Sequence, residues 1–334
     1  MADYQDIRGL RVKYLSADPS TATQGEVWYN STSGTLKATV MSTAAWSSGT
    51  AFPGIRWNTS GTGITTASLT FGGSTGPALP TFLNTTFEGD GSSWTAAPTT
   101  PISSINQFGT GTQTTTIGGG GLASPGANTT TAYTYNGSTW SGITATPEAT
   151  KGAGAAGTDT AALIFGSDLP SVTINKDSYS WNGSSWAEEG ALNNDFANGA
   201  SGGPTENTAF KAGSVFSGGS GPPTASNTFE TYDGSSWTSG PTLNTPVYQN
   251  RGFGSSAECL SIGGYDQITG VERFDGSSWA AAPVLGTGRK QMASSNNAAS
   301  GITNGWVGGG ADLPDGAVED YNASVAETQT LTTS

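Results

Sequence analysis

Apolar positions along this chain fall in short bursts, each running into glycine and separated by stretches rich in Ser, Thr and Gly. The bursts are Leu69-Thr70-Phe71-Gly72-Gly73, Thr116-Ile117-Gly118-Gly119, Leu163-Ile164-Phe165-Gly166, Val215-Phe216-Ser217-Gly218-Gly219, Leu260-Ser261-Ile262-Gly263-Gly264 and Trp306-Val307-Gly308-Gly309. They are too short for an amphipathic helix and suit strands that pass through a core. Downstream of each burst, apolar and polar residues alternate, as in Tyr133-Thr134-Tyr135 and Tyr179-Ser180-Trp181. That period of two predicts a second strand with one apolar face.

The alternating strand leads into a phrase that recurs: Gly89-Asp90-Gly91-Ser92-Ser93-Trp94, then near-copies ending at Trp140, Trp186, Trp237 and Trp279. Asn-Gly and Asp-Gly are the preferred pairs of tight hairpin turns, where both central residues take positive φ, so each phrase predicts a two-residue turn between antiparallel strands. Trp46 begins the series and a worn copy, Tyr321-Asn322-Ala323-Ser324-Val325, closes it; the spacings from Trp46 are 48, 46, 46, 51 and 42 residues. A repeat of this length written in strands predicts propeller blades. The recurring Trp is expected to fill the gap between neighbouring sheets. A stretch of small residues before each burst, such as Gly152-Ala153-Gly154-Ala155-Ala156-Gly157, is expected at the crowded centre, where strands from every sheet converge.

The first 45 residues use other wording. Asp6-Ile7-Arg8-Gly9-Leu10-Arg11-Val12-Lys13-Tyr14-Leu15 alternates like a half-buried strand, and Gly25 to Asn30, a turn, then Thr35 to Val40 read as a hairpin. The expected architecture is therefore all-β: an N-terminal β anchor over residues 1–45, then a propeller over 46–334. Six bursts and six hairpins favour six blades, with a seventh if the N-terminal hairpin adds a partial one.

Charge divides along the same line. Residues 1–45 balance four acids against four bases, and the remainder carries the whole net charge of −13. A repeat region this acidic repels nucleic acid. Cys259, the single cysteine, excludes an intrachain disulfide and is read as a small core residue. The N-terminus has no signal-peptide pattern and no apolar run approaches membrane length, so no membrane insertion is expected.

The chain contains no histidine. Ser-His-Asp and Cys-His catalysis are thereby ruled out, as are imidazole ligands for zinc or copper. The turn phrases do not keep the spacing of a sialidase Asp box, since Asp90 stands one residue too close to its Gly. Glu188-Glu189 and Glu319-Asp320 are the carboxylate pairs a glycosidase would need, but they sit beside turns and are read as structural. Asp168, Asp312 and Asp315 fall in loops without the spacing of a calcium site. No enzyme activity, cofactor or metal is expected.

Two resemblances follow from these phrases. Gly218-Gly219 with Glu230-Thr231-Tyr232-Asp233 and Trp237, and Gly263-Gly264 with Glu272-Arg273-Phe274-Asp275 and Trp279, resemble kelch repeats over about residues 46–330. Arg56, Arg251 and Arg289 stand as counterparts of the arginine common in such repeats. The head, Asp6 to Leu15 followed by Gly25 to Leu36, looks like the start of structural proteins of marine and cyanobacterial tailed phages that join such a head to kelch-like repeats. The resemblance implies a virion protein, assembled in the host cytoplasm and oligomeric in the particle. Its propeller would serve as a tail or tail-fibre module attaching to host-surface glycan; the alternative is a capsid decoration or head-fibre protein with a structural role. Arg8, Arg11, Lys13, Trp28 and Tyr29 are the candidate contacts to other virion proteins. The aromatics outside the repeat wording, Trp57, Phe82, Tyr248, Tyr265 and Trp306, are the candidate glycan contacts, because aromatic faces stack on sugar rings.

Overall fold

Strands dominate the computed structural model, which describes residues 12–21, 23–76, 81–168, 174–216, 224–296, 301–310 and 316–331. The chain divides into two compact units, one of residues up to Ala45 together with those from Ala323 onward, the other Trp46–Asn322. The end of the chain, assigned by its wording to the repeat region, thus belongs with the N-terminal element. The reason is strand pairing: Ala326–Thr330 runs antiparallel to Thr35–Met41, in the register Lys37 opposite Thr330. Val27–Asn30 pairs with the other edge of Thr35–Met41, and Lys13–Leu15 adds a parallel fourth strand.

Residues 46–322 hold, among the described residues, six four-stranded antiparallel sheets. In chain order their first strands are Ser60–Ile64, Phe108–Gly111, Gly154–Gly157, Ala200–Gly202, Arg251–Ser255 and Ala293–Ser294. We number the sheets 1 to 6 in that order. Sheets 1 to 5 are simple meanders, in which each strand pairs with the next long one in sequence. In sheet 6 the fourth strand is instead Ala45–Gly49, from the start of the unit. This explains the worn copy at Asn322: no hairpin forms there, and Trp46 arrives from elsewhere in the chain to take the place of the missing Trp.

The hairpin phrases build a different turn from the expected two-residue one. Gly89 faces Trp94, Tyr135 faces Trp140 and Phe274 faces Trp279, so four residues lie in each loop. Only the glycine has positive φ, for example 85° at Gly137. The preceding Asn or Asp instead uses its side chain. Oδ1 of Asn136 accepts the N–H groups of Ser138 and Thr139 at 3.0 and 2.8 Å, and Asp90, Asn182, Asp233 and Asp275 do the same. These local bonds let Asn and Asp serve interchangeably. The donated hydrogen bonds also hold the Asp90 and Asp275 carboxyls down at about 2.

Each recurring Trp packs on the sheet before its own. Trp140 lies 5.0 Å from Phe71, Trp186 6.3 Å from Phe108, Trp237 4.6 Å from Phe165 and Trp279 5.1 Å from Phe229. Trp46 of sheet 6 meets Phe253 of sheet 5, and Trp94 of sheet 1 meets Trp306 of sheet 6 at 5.6 Å. Trp237 and Trp279 are buried and the other four half-buried, so the roughly 2–3 kcal/mol of a fully buried ring is an upper bound for what each adds to the cohesion between sheets.

The first strands follow the same cycle, each packing beside the next, with Ala293–Ser294 beside Ser60–Ile64. Room for this comes from their small residues. A Cβ on Gly61 would lie 2.7 Å from the Ser294 carbonyl of the neighbouring sheet. At one end of these strands a belt of hydrogen bonds runs through six backbones. The N–H groups of Asn106, Gly152, Asn198, Gln249 and Gln291 donate to the carbonyls of Asn58, Asn106, Gly152, Asn198 and Gln249, and Asn58 donates to Gln291 at 2.9 Å. All six belt residues are left-handed, with φ between 51° and 67°. The arrangement is propeller-like.

Candidate functional site

The belt orders the surface around it. The residues just before its members are Trp57, Ile105, Lys151, Ala197, Tyr248 and Lys290. They form a rim at the end of the unit where the first strands begin. In sheets 1 and 5 the residue opposite is the one that follows the glycines ending the second strand. Trp57 exchanges both backbone hydrogen bonds with Ser74, and Tyr265 donates its N–H to the Tyr248 carbonyl at 2.8 Å. Sheets 1 and 5 therefore place Trp57/Ser74 and Tyr248/Tyr265 at equivalent sites. Phe82 joins the first pair through a bridge to Ser74.

At the sheet 5 site the Tyr248 and Tyr265 rings stack with centroids 4.7 Å apart and planes 17° from parallel. Lys290 Nζ lies 5.0 Å from the Tyr265 ring, a cation–π distance. Tyr248 is buried beneath, and burial pushes its hydroxyl up to about 12. Tyr265 is 45% exposed. Phe82 is half-buried and Trp57 is buried. Trp306 is a core side chain of sheet 6, enclosed with Phe52 and Val318, on the second strand and not on the rim. The structure thus gathers four of the five aromatics on one end of the unit and puts Trp306 inside it. Lys290 was not anticipated; its equivalence to Trp57 and Tyr248 becomes visible only once the belt is known.

Behind the rim, the middle of the first-strand ring holds a polar space of about 40 Å³ lined by Ser60, Asn106, Gln107, Ser201, Arg251 and Asn296 among others. Asn296 spans it, donating from Nδ2 to the carbonyls of Gly109 and Ala155. Arg251 belongs here and is not a counterpart of the other two arginines. Arg56 and Arg289 each stand two residues before a belt residue, with Nη1 on paired backbone carbonyls: Gly72 and Thr85 for Arg56, Gly309 and Ala317 for Arg289. Arg251 stands two residues after the belt residue, and its side chain makes one hydrogen bond among the described residues, to the Asn250 carbonyl. Burial lowers its guanidinium to about 10.

In the N-terminal unit, Lys13 is ion-paired with Glu26 and largely exposed. Trp28 is fully buried, its Nε1 donating to Asp18 at 3.0 Å. Asp18 also receives Asn30 and the Lys37 ammonium, which together bring its carboxyl down to about 2. Tyr29 stacks under Tyr14, whose ring is 75% exposed, at 5.0 Å. Leu36 faces Tyr29 across the strands and is partly exposed. Arg8 and Arg11 lie outside the described residues, as do Asp312 and Asp315.

Three of the carboxylates have structural partners. Glu319 binds Arg289, Glu189 accepts the hydroxyls of Ser180 and Tyr232, and Asp168 pairs with Lys151 at 2.7 Å. Among the described residues no three carboxylate or thiol groups converge as a metal site. Burial of Cys259 raises its thiol well above the usual range. No protein-family model matches this chain, and no curated protein matches it.

Proposed function

We propose that residues 46–322 form a six-bladed kelch-like propeller in a virion protein of a tailed phage, and that its rim attaches to host-surface glycan. The blade count rests on the belt, a cycle of hydrogen bonds with one member per sheet. The attachment reading is carried by a single observation: Tyr265 presents its ring to solvent while stacked on buried Tyr248 and flanked by Lys290. A ring held rigid in this way loses little freedom when a sugar stacks on it, and the ammonium adds a donor for hydroxyl or carboxylate groups. The N-terminal sheet, with Tyr14, Tyr29 and Leu36 in a row, docks on another virion protein and sets the oligomeric state in the particle. The resemblance of its wording to phage virion proteins supports that assignment.

Immunogold labelling of purified virions with an antibody to residues 46–322 tests the location, and binding of the full chain to host cells tests the attachment. The expected result is gold on the tail or its fibres, with cell binding that weakens about tenfold in Tyr265→Ala, the loss of about 1.4 kcal/mol. Gold over the capsid with no cell binding would make the protein a decoration, and unlabelled particles would remove it from the virion.

A further inference from the structure

Sheets 4, 5 and 6 each carry a glutamate at one place on the third strand: Glu230, Glu272 and Glu319. Each accepts the backbone N–H groups of the loop that enters its own sheet. Glu230 takes those of Asn193 and Asn194, Glu272 those of Asn244 and Thr245, and Glu319 those of Gly286 and Thr287. In two of the three sheets a cation completes the group. Lys211, directly across from Glu230 on the second strand, puts Nζ 3.2 Å from Oε1. Arg289, from the loop before the first strand, reaches Oε1 of Glu319 at 3.0 Å.

Sheet 5 supplies neither. Across from Glu272 stands Ser261, and two residues before the belt residue, where sheet 6 has Arg289, stands Val247. Glu272 has no cationic partner among the described residues, and its Oε1 accepts only the Thr245 N–H. In Glu230 and Glu319 that same oxygen is the one that meets the cation. Beside Glu272 opens a pocket of about 380 Å³, walled by Val247, Ile268, Val271, Ala282 and Val284, with Asn244, Thr245, Ser261 and Glu272 as polar lining. Its size is within the usual range for small-molecule sites, and its makeup is the usual one: apolar walls with few polar groups.

We propose that this pocket binds an alkylammonium group, its nitrogen on Oε1 of Glu272 and its aliphatic stem along Val247, Ile268, Val271 and Ala282. The ligand takes the place that Lys211 occupies in sheet 4. A carboxylate already ordered by loop N–H groups keeps lone pairs free for one more donor, and apolar walls favour a stem of methylenes over a bare ion. A free alkylamine and a lysine side chain of another protein present the same group.

Calorimetric titration of the full chain with n-butylammonium chloride, Nα-acetyl-lysine methylamide and 1-butanol tests this. The ammonium probes are expected to bind and butanol to bind at least tenfold more weakly. Binding of the capped lysine as tight as that of butylammonium indicates a protein lysine as the ligand, and binding of butylammonium alone indicates a free amine; both support the pocket. Glu272→Gln is expected to weaken butylammonium at least tenfold. Ser261→Lys, which copies the sheet 4 pair into sheet 5 and keeps the loop hydrogen bonds to Glu272 while giving up the one that Asn250 Nδ2 donates to Ser261 Oγ, is expected to abolish binding. Should Glu272→Gln fail to fold, Ser261→Lys carries the test. Butanol binding as tightly as butylammonium, or unchanged affinity in Ser261→Lys, would overturn the proposal.

Discussion

Single side chains in this protein are set by whether a local partner exists. The turn carboxylates Asp90 and Asp275, each bonded to two N–H groups, stay ionised into strong acid. Asp320 is the opposite case. It lies on Val318–Asn322 beside a small gap lined by Thr50, Thr65, Ser68 and Ser93, and no hydrogen bond to its carboxyl is formed by the described residues. Burial without a partner pushes its carboxyl up from 3.8 to about 6. Because the folded value is above the unfolded one, the folded state holds the proton more tightly. The stability this gives is complete below pH 3.8 and is lost as pH rises through about 6. Asp320→Asn is therefore expected to stabilise the protein at pH 7 by about 1 kcal/mol after allowing for partial exposure, and to be neutral at pH 3.5. Urea titrations at the two pH values measure this; equal effects at both would refute it. The bulk charge of −13 acts in the same sense, since self-repulsion grows as carboxyls ionise. The variant difference isolates Asp320 from that background.

At the scale of elements, the glutamate clamps tie each loop to the sheet it enters, and the buried Lys211–Glu230 pair is the most demanding of them. Both side chains are fully enclosed. Burial acts to lower the lysine and succeeds; the glutamate is also lowered, because the Lys211 charge and the Asn193 and Asn194 donors outweigh its desolvation. Lys211→Met leaves a buried carboxylate with its loop donors and is expected to cost about 3 kcal/mol. Glu230→Ala removes the acceptor for the loop as well and strands the ammonium, so it is expected to cost more, about 4–5 kcal/mol. Denaturant midpoints of the two variants give the order, and the reverse order would contradict the clamp. Much of this level was legible in sequence: the glycine-ended bursts became second strands and the Trp phrases became hairpins, because both rest on local period and turn chemistry. The expected two-residue turn does not form, because Asn-Gly also suits a four-residue loop in which the Asn side chain supplies the bonds. The cations were not legible, since Lys211 and Arg289 reach equivalent carboxylates from different elements. The belt has a signal in the sequence. Its members stand twelve residues after Trp46, Trp94, Trp140, Trp186, Trp237 and Trp279, and they read Asn, Asn, Gly, Asn, Gln and Gln. Asn and Gly commonly adopt left-handed φ, but the two glutamines hide the pattern.

The hydrogen-bond belt joins the six sheets, and in the proposed propeller the seam lies where a strand from elsewhere in the chain completes a sheet. Five of the six sheets are continuous in sequence and fold by local pairing. Sheet 6 is completed by bringing Ala45–Gly49 beside Val318–Asn322, a contact of the high sequence separation that forms slowly and at entropic cost. Trp46 fastens this strand. Its ring lies 5.0 Å from Tyr321 within sheet 6 and meets Phe253 of sheet 5, and its Nε1 donates to the Pro283 carbonyl at 2.9 Å. Trp46→Ala is expected to cost about 3 kcal/mol, similar to other large-to-small changes at aromatic sites. The loss should also be local in its first effect. Sheet 6 would open before the others, so amide hydrogens of Asn304–Gly308 and Val318–Asn322 should exchange faster, while those of Ala162–Asp168, in sheet 3, keep wild-type protection. Trp186→Ala, inside a continuous stretch, supplies the comparison: it is expected to speed exchange around sheets 2 and 3 and leave sheet 6 protected. Hydrogen exchange read by mass spectrometry separates the two patterns. If Trp46→Ala raises exchange evenly over all six sheets, the unit unfolds as one body and the strand Ala45–Gly49 is not a seam.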